Sequence, residues 1–149
     1  MNKFVCYIAA VVLACASADL ETTGGSGLTW NLSGTAPGDI TYAFDVAMGA
    51  KDRWNPETQE SPPLEPGKAI QLAKEFIQQV PLGGDWKEWR LEQVQMLRSV
   101  DPKGLEEWLY VVRFYAVIPG TLTTGGPVMN VPIRMDGTIP DSVISKPKA

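Results

Sequence analysis

Histidine is absent from the chain, and cysteine occurs only twice, at Cys6 and Cys15. The first absence removes the commonest general base and the commonest protein metal ligand. It excludes a Ser-His-Asp triad and any zinc centre that relies on imidazole. Positive charge is also scarce, with 13 Lys and Arg against 17 Asp and Glu, a net charge of -4. That balance gives no electrostatic reason to bind nucleic acid or an anionic membrane surface. Phe4 to Leu13 is an unbroken apolar run, but it is too short to span a bilayer as a helix.

That run sits in a segment laid out as an export signal. Lys3 supplies a positive start, the apolar run follows, and Ala16-Ser17-Ala18 is a small-x-small cleavage site. Cleavage after Ala18 removes both cysteines, so disulfides and thiol nucleophiles are excluded as well. A second route is open. Val12-Leu13-Ala14-Cys15 resembles the bacterial lipobox, which implies lipidation of Cys15 and makes it the new N-terminus. Ala16 to Gly27 would then be a polar, Gly/Ser/Thr-rich tether. On either route the protein is exported, periplasmic or secreted, and any membrane contact is through Cys15.

The remaining length suits one domain. Residues 19–38 read as a flexible segment with a short strand at Leu28 to Leu32, broken by Gly34 to Gly38. Ile40, Tyr42, Phe44 and Val46 alternate with Thr41, Ala43, Asp45 and Ala47, which predicts a half-buried strand. Gly49 to Pro66 reads as a long loop pinned by Trp54 and Leu64. Pro66 suits the first turn of a helix, and Ala69, Ile70, Ala73, Phe76, Ile77 and Val80 form a stripe at helical spacing. Residues 86–100 fit a helix or a strand. The strand reading puts Trp89 and Leu91 out of phase with Val94 and Met96, which requires a bulge near Gln93. Asp101-Pro102-Lys103-Gly104 is a turn sequence. Glu107 to Ile118, apolar on both faces except at Arg113, predicts a central strand. Val128 to Met135 is a last strand, and Pro132 places it at an edge. Residues 142–149 read as a frayed tail.

The expected class is α+β: one helix covering an antiparallel sheet of about four strands, in a domain of residues 39–141. The helix start Leu64-Glu65-Pro66-Gly67-Lys68-Ala69-Ile70-Gln71-Leu72-Ala73 resembles that of PepSY-type domains. So do the strand with Trp89 and Leu91, the run Trp108 to Phe114, and Val131 to Ile139 with its Asp136-Gly137 turn. The resemblance covers about residues 64–140. It implies a cystatin-like helix gripped by a curved sheet, in an exported bacterial protein that binds partners, with peptidase modulation suggested.

Candidate chemistry is sparse. Ser145-Lys146-Pro147-Lys148 has the letters of an S-x-x-K motif, but Pro147 bars the helix that motif requires. Gly24 to Gly27 lacks the strand and helix that flank a phosphate loop. Glu106 and Glu107 face opposite ways at the start of a strand and read as solvated turn charges. Asp136 beside Gly137 is a turn residue, far short of a calcium site. Asn31-Leu32-Ser33 is a glycosylation sequon only in a eukaryotic secretory pathway.

The five tryptophans, at 30, 54, 86, 89 and 108, carry more information. Most are expected to pack on the helix or pin loops. A binding surface on an open sheet face would combine Trp108 with Arg90, Arg98, Arg113 and Arg134, since Trp and Arg are enriched at binding hot spots. The sequence therefore points to a non-catalytic domain without cofactor or metal that binds a protein or peptide. Two alternatives stand beside it. One is a lipid-anchored envelope protein with a structural or assembly role. The other is a small-ligand or hydrolytic cup that uses Asp45 or another buried carboxylate.

Overall fold

The computed structural model describes residues 28–121 and 125–147. Residues 1–27 lie outside it, so the cleavage residues Ala16 and Ala18 and the lipidation candidate Cys15 are outside the described residues. The chain is α+β, with strands β1 (Thr29–Ala36) and β2 (Ile40–Ala47), a 3-10 turn at Ala50–Asp52 and helix α1 (Pro66–Ile77). Strands β3 (Glu88–Val100), β4 (Glu106–Val117), β5 (Val128–Arg134) and β6 (Ser142–Ser145) follow.

The expected single sheet of about four strands is instead two antiparallel three-stranded sheets, ordered β1-β2-β6 and β3-β4-β5. Three differences produce this. The first strand does not stop at Leu32 but runs to Ala36, paired along its length with β2. Gly34 is no breaker. A Cβ there would lie 2.7 Å from the Met129 Cα, so glycine is what lets β1 cross β5 in contact. The hairpin turns at Pro37-Gly38-Asp39, with positive φ at Gly38 and Asp39. Last, residues 142–145 are not frayed. They add to the open edge of β2, Ser142 opposite Phe44 and Ser145 opposite Thr41.

The meander β3-β4-β5 forms as its short connections predict. β4 is central and buried on both faces, and the edge strand β5 accommodates Pro132. The bulge falls where the phase shift required it: the register jumps between Leu91 and Gln93, leaving Glu92 unpaired. Trp89, Leu91, Val94 and Met96 consequently share one face, opposite Ala116, Phe114, Val112 and Tyr110.

Pro66 opens α1 at its first position. The helix buries Ala69, Ala73 and Ile77, and Val80 just after it is also buried. These side chains and the buried residues of both sheets form one core. Two contacts fix the helix between the sheets. The Tyr110 hydroxyl donates to the Leu64 carbonyl at 2.9 Å, just before α1. Phe76 meets Tyr42 and Phe44 edge-on, at centroid distances of 6.5 and 5.8 Å. The 49–65 segment is pinned as expected at Trp54, which packs on Trp108, and at Leu64. Among the described residues no helix is long and apolar enough to cross a membrane.

Candidate functional site

The structure does not gather the five expected surface residues into one patch. Arg98 and Trp108 are register partners at one corner, on the same face as Tyr110. Arg90, Arg113 and Arg134 lie on the opposite face, opposite Tyr115, Gln93 and Leu109 respectively. Each arginine already holds a carboxylate. Arg90 pairs with Glu88 at 2.5 Å, and Arg98 pairs with Glu106. The Arg98 guanidinium also sits 5.9 Å from the Trp108 ring centroid. Trp108 gives its indole N–H to Glu106 at 3.2 Å and packs on Trp54 at 5.3 Å, so this corner is a closed cluster.

Arg134 is a half-buried structural residue. Its Nη1 bonds the Asp52 carboxylate at 2.5 Å and its Nη2 donates to the Ala47 carbonyl at 3.0 Å. Asp52 is fully buried, and its second oxygen, Oδ1, has no hydrogen-bond partner. Burial pushes its pKa above the ordinary 3.8, against the pull of Arg134 and the Gly49 N–H. Glu107 is buried too, which corrects its reading as a solvated turn charge. It does point away from Glu106, into contact with the Ser99 hydroxyl at 3.4 Å. Burial first, and then the negative charge of Asp101, raise its pKa above 4.5. Asp52 carried no signal in the sequence and Glu107 was read as solvated, because the 49–53 segment folds back onto β4 only through a distant bridge between Arg53 and Glu107. Asp45, the carboxylate suggested for a hydrolytic cup, is exposed on β2.

Arg113 belongs to a different feature. It opens onto a cleft of about 1020 Å³ where the two sheets adjoin. One wall is the end of β1 and its turn, including Thr35 and Asp39. The other is the start of β5 with Trp86. Arg113 and Asn130, register partners on adjacent strands, lie between them. Gly126 is required here, since a Cβ on it would fall 2.7 Å from the Trp86 ring. Arg113 Nε lies 2.6 Å from Glu92, the bulge residue, without hydrogen-bond alignment.

β1 and β5 are both edge strands, and among the described residues no backbone hydrogen bond joins them. The Asn130 side chain bridges the gap by donating to the Ser33 carbonyl at 2.9 Å. Strand edges that meet without pairing leave backbone donors and acceptors for an added strand. The signal for this cleft was visible only in part: Arg113 was among the expected surface residues and Trp86 was one of the five tryptophans, but nothing local links them to Ser33 or Asn130.

Among the described residues Asp39 is the one carboxylate lining the cleft. Among the described residues no three acidic side chains gather in a way that would hold a metal ion. The Asp136 carboxylate is occupied in its own turn, accepting from the Thr138 N–H at 3.0 Å and its hydroxyl at 2.6 Å. Comparison with known proteins finds no family model, no curated protein and no solved structure that matches the chain.

Proposed function

We propose that this is an exported, non-catalytic binding domain that takes an extended segment of a protein or peptide partner in the cleft between its two sheets. The observation that carries the reading is the meeting of β1 and β5 without backbone pairing, beside Trp86, Arg113 and Asn130. Main-chain hydrogen bonds to an open strand supply affinity, and side-chain pockets supply selectivity. A non-catalytic role is supported by chemistry. The chain has no histidine, and its cysteines fall in the segment read as a signal. The carboxylates with raised pKa, Asp52 and Glu107, do not line the cleft.

Export rests on the order of charge, apolar run and small-residue site in residues 1–18. The resemblance of residues 64–140 to PepSY-type domains supports a cystatin-like grouping and a partner in the same compartment, such as a peptidase.

A displayed random-peptide library panned against the purified protein tests the binding site. Selected peptides should shift the amide resonances of Ser33–Ala36 and Val128–Asn130, and W86A and N130A should weaken them at least tenfold. Peptides that bind equally well to both variants would overturn the reading. Intact mass of the exported protein tests the processing: a chain starting at Asp19 marks a diffusible binder, and a diacylated Cys15 marks an anchored one.

A further inference from the structure

A second concavity, independent of the cleft, lies on the other face of the second sheet, between the end of α1 and β3. Its volume is about 470 Å³. Ile77, Val80 and Phe114, each almost wholly buried, form its floor. Leu82, Trp89 and Leu91 form its sides. Leu91 is 38% exposed, an unusual position for a leucine opposite the core residue Phe114. Leu91 shares the face of Trp89 by strand alternation, and the regular register ends immediately after it, at the Glu92 bulge. Trp89 turns its only polar atom inward, Nε1 donating to the Val80 carbonyl at 3.4 Å. The ring thus offers hydrocarbon to the groove.

The rim has the opposite character. Lys74 and Lys87 flank the groove. Among the described residues the Lys74 ammonium has no hydrogen-bond or ion-pair partner, and the Lys87 ammonium bonds only the Gly84 carbonyl, at 3.3 Å. Glu88 also lines the groove, and its carboxylate is committed to Arg90. Two ammonium groups without acidic partners therefore stand beside an apolar slot, on a chain whose net charge is -4. We infer that the groove binds a single-chain anionic amphiphile, a free fatty carboxylate, with its alkyl chain on Ile77, Trp89 and Leu91 and its head group between Lys74 and Lys87.

The same chemistry disfavours a peptide. A peptide backbone would bring N–H and C=O groups into a slot walled mainly by hydrocarbon, and unpaired polar groups are costly to desolvate. An alkyl chain loses nothing there and gains its transfer free energy. The ammonium pair then selects an anion over a neutral or cationic head group.

The test uses the full mature protein and dodecanoate below its micellar concentration, titrated by calorimetry. Dodecanoate should bind saturably at one site, and dodecanol and dodecyltrimethylammonium should bind at least tenfold more weakly. The charge reversal K74E/K87E alters two exposed side chains and should weaken dodecanoate at least tenfold with an unchanged circular dichroism spectrum. A bromine-labelled dodecanoate should quench indole emission, and W89F should remove most of that quenching. Equal binding of all three head groups, or unchanged affinity in K74E/K87E, would overturn the inference. So would binding to vesicles of anionic phospholipid without binding of monomeric dodecanoate, which would make the groove a membrane-docking site. R113A, in the cleft, should leave dodecanoate affinity unchanged, so failure here and failure of the peptide-binding reading are separable.

Discussion

Arg134 and Arg98 each hold a carboxylate beside β4, one in the interior and one at the solvent edge. The side chains of the Arg134–Asp52 pair are 16% and 0% exposed, and those of Arg98–Glu106 are 53% and 22% exposed. In sequence the two arginines look alike, each following an apolar residue in a strand. Their environments make them energetically different. Around Arg98 water screens the attraction and solvates either partner left alone. Around Arg134 nothing replaces a lost partner, and an orphaned Asp52 carboxylate would remain in the core. The interior pair is thus a condition of folding for the 49–53 segment, whereas the edge pair is a local preference.

The sharpest way to break this contrast is R134L. It should destabilise the protein by about 3–5 kcal/mol at pH 7, read as a fall in the urea midpoint. Replacing both partners in D52L/R134L should recover much of the loss, because no unpaired charge remains buried. Full stability in R134L alone would mean that water reaches Asp52.

A pH series sharpens the interior side further. Glu107 has a folded pKa above its ordinary 4.5, so the folded state holds its proton more tightly than the unfolded chain does. The stability this contributes is full below pH 4.5 and is lost as pH rises through the raised folded value. Asp52, raised above 3.8, acts in the same direction. E107Q should match the parent protein in acid and exceed its urea midpoint at pH 7, because the amide has no charge to desolvate at any pH. Parallel pH profiles for the two proteins would show that Glu107 is solvated.

The smallest effect belongs to the edge. R98A removes an exposed ion pair and a cation–π contact with Trp108, and should cost about 1 kcal/mol or less. Added salt should shrink that difference, while leaving the R134L deficit nearly intact.

The parts of the fold that were legible in the sequence were those whose signal is local. α1 showed in its stripe and in Pro66, and β4 in its doubly apolar run. The bulge at Glu92 showed because two apolar pairs were out of phase. What stayed hidden depends on distant chain. β6 has only four residues, and its apolar Val143 and Ile144 are exposed, so its strand character comes from the open edge of β2. Gly34 reads as a break until β5 lies against it. Glu107 reads as a surface charge until Arg53 bridges to it. The site divided in the same way. Arg113 was singled out and does line the cleft, whereas Arg90, Arg98, Trp108 and Arg134 serve elsewhere. The apolar groove was invisible because in sequence its apolar residues read as ordinary core packing of a helix and a strand.

The pairing of β6 with β2 also sets an order of events for the folding chain. The contacts of β3, β4 and β5 are between sequence neighbours, and their closure entropy is small. The partners in β2 and β6 are roughly a hundred residues apart, so that ladder closes a far longer loop. The meander and its helix can therefore assemble early, while β2 keeps one edge unpaired until residues 142–145 arrive. During that interval the nascent protein carries an adhesive strand beside Phe44, and its refolding yield should fall with rising concentration.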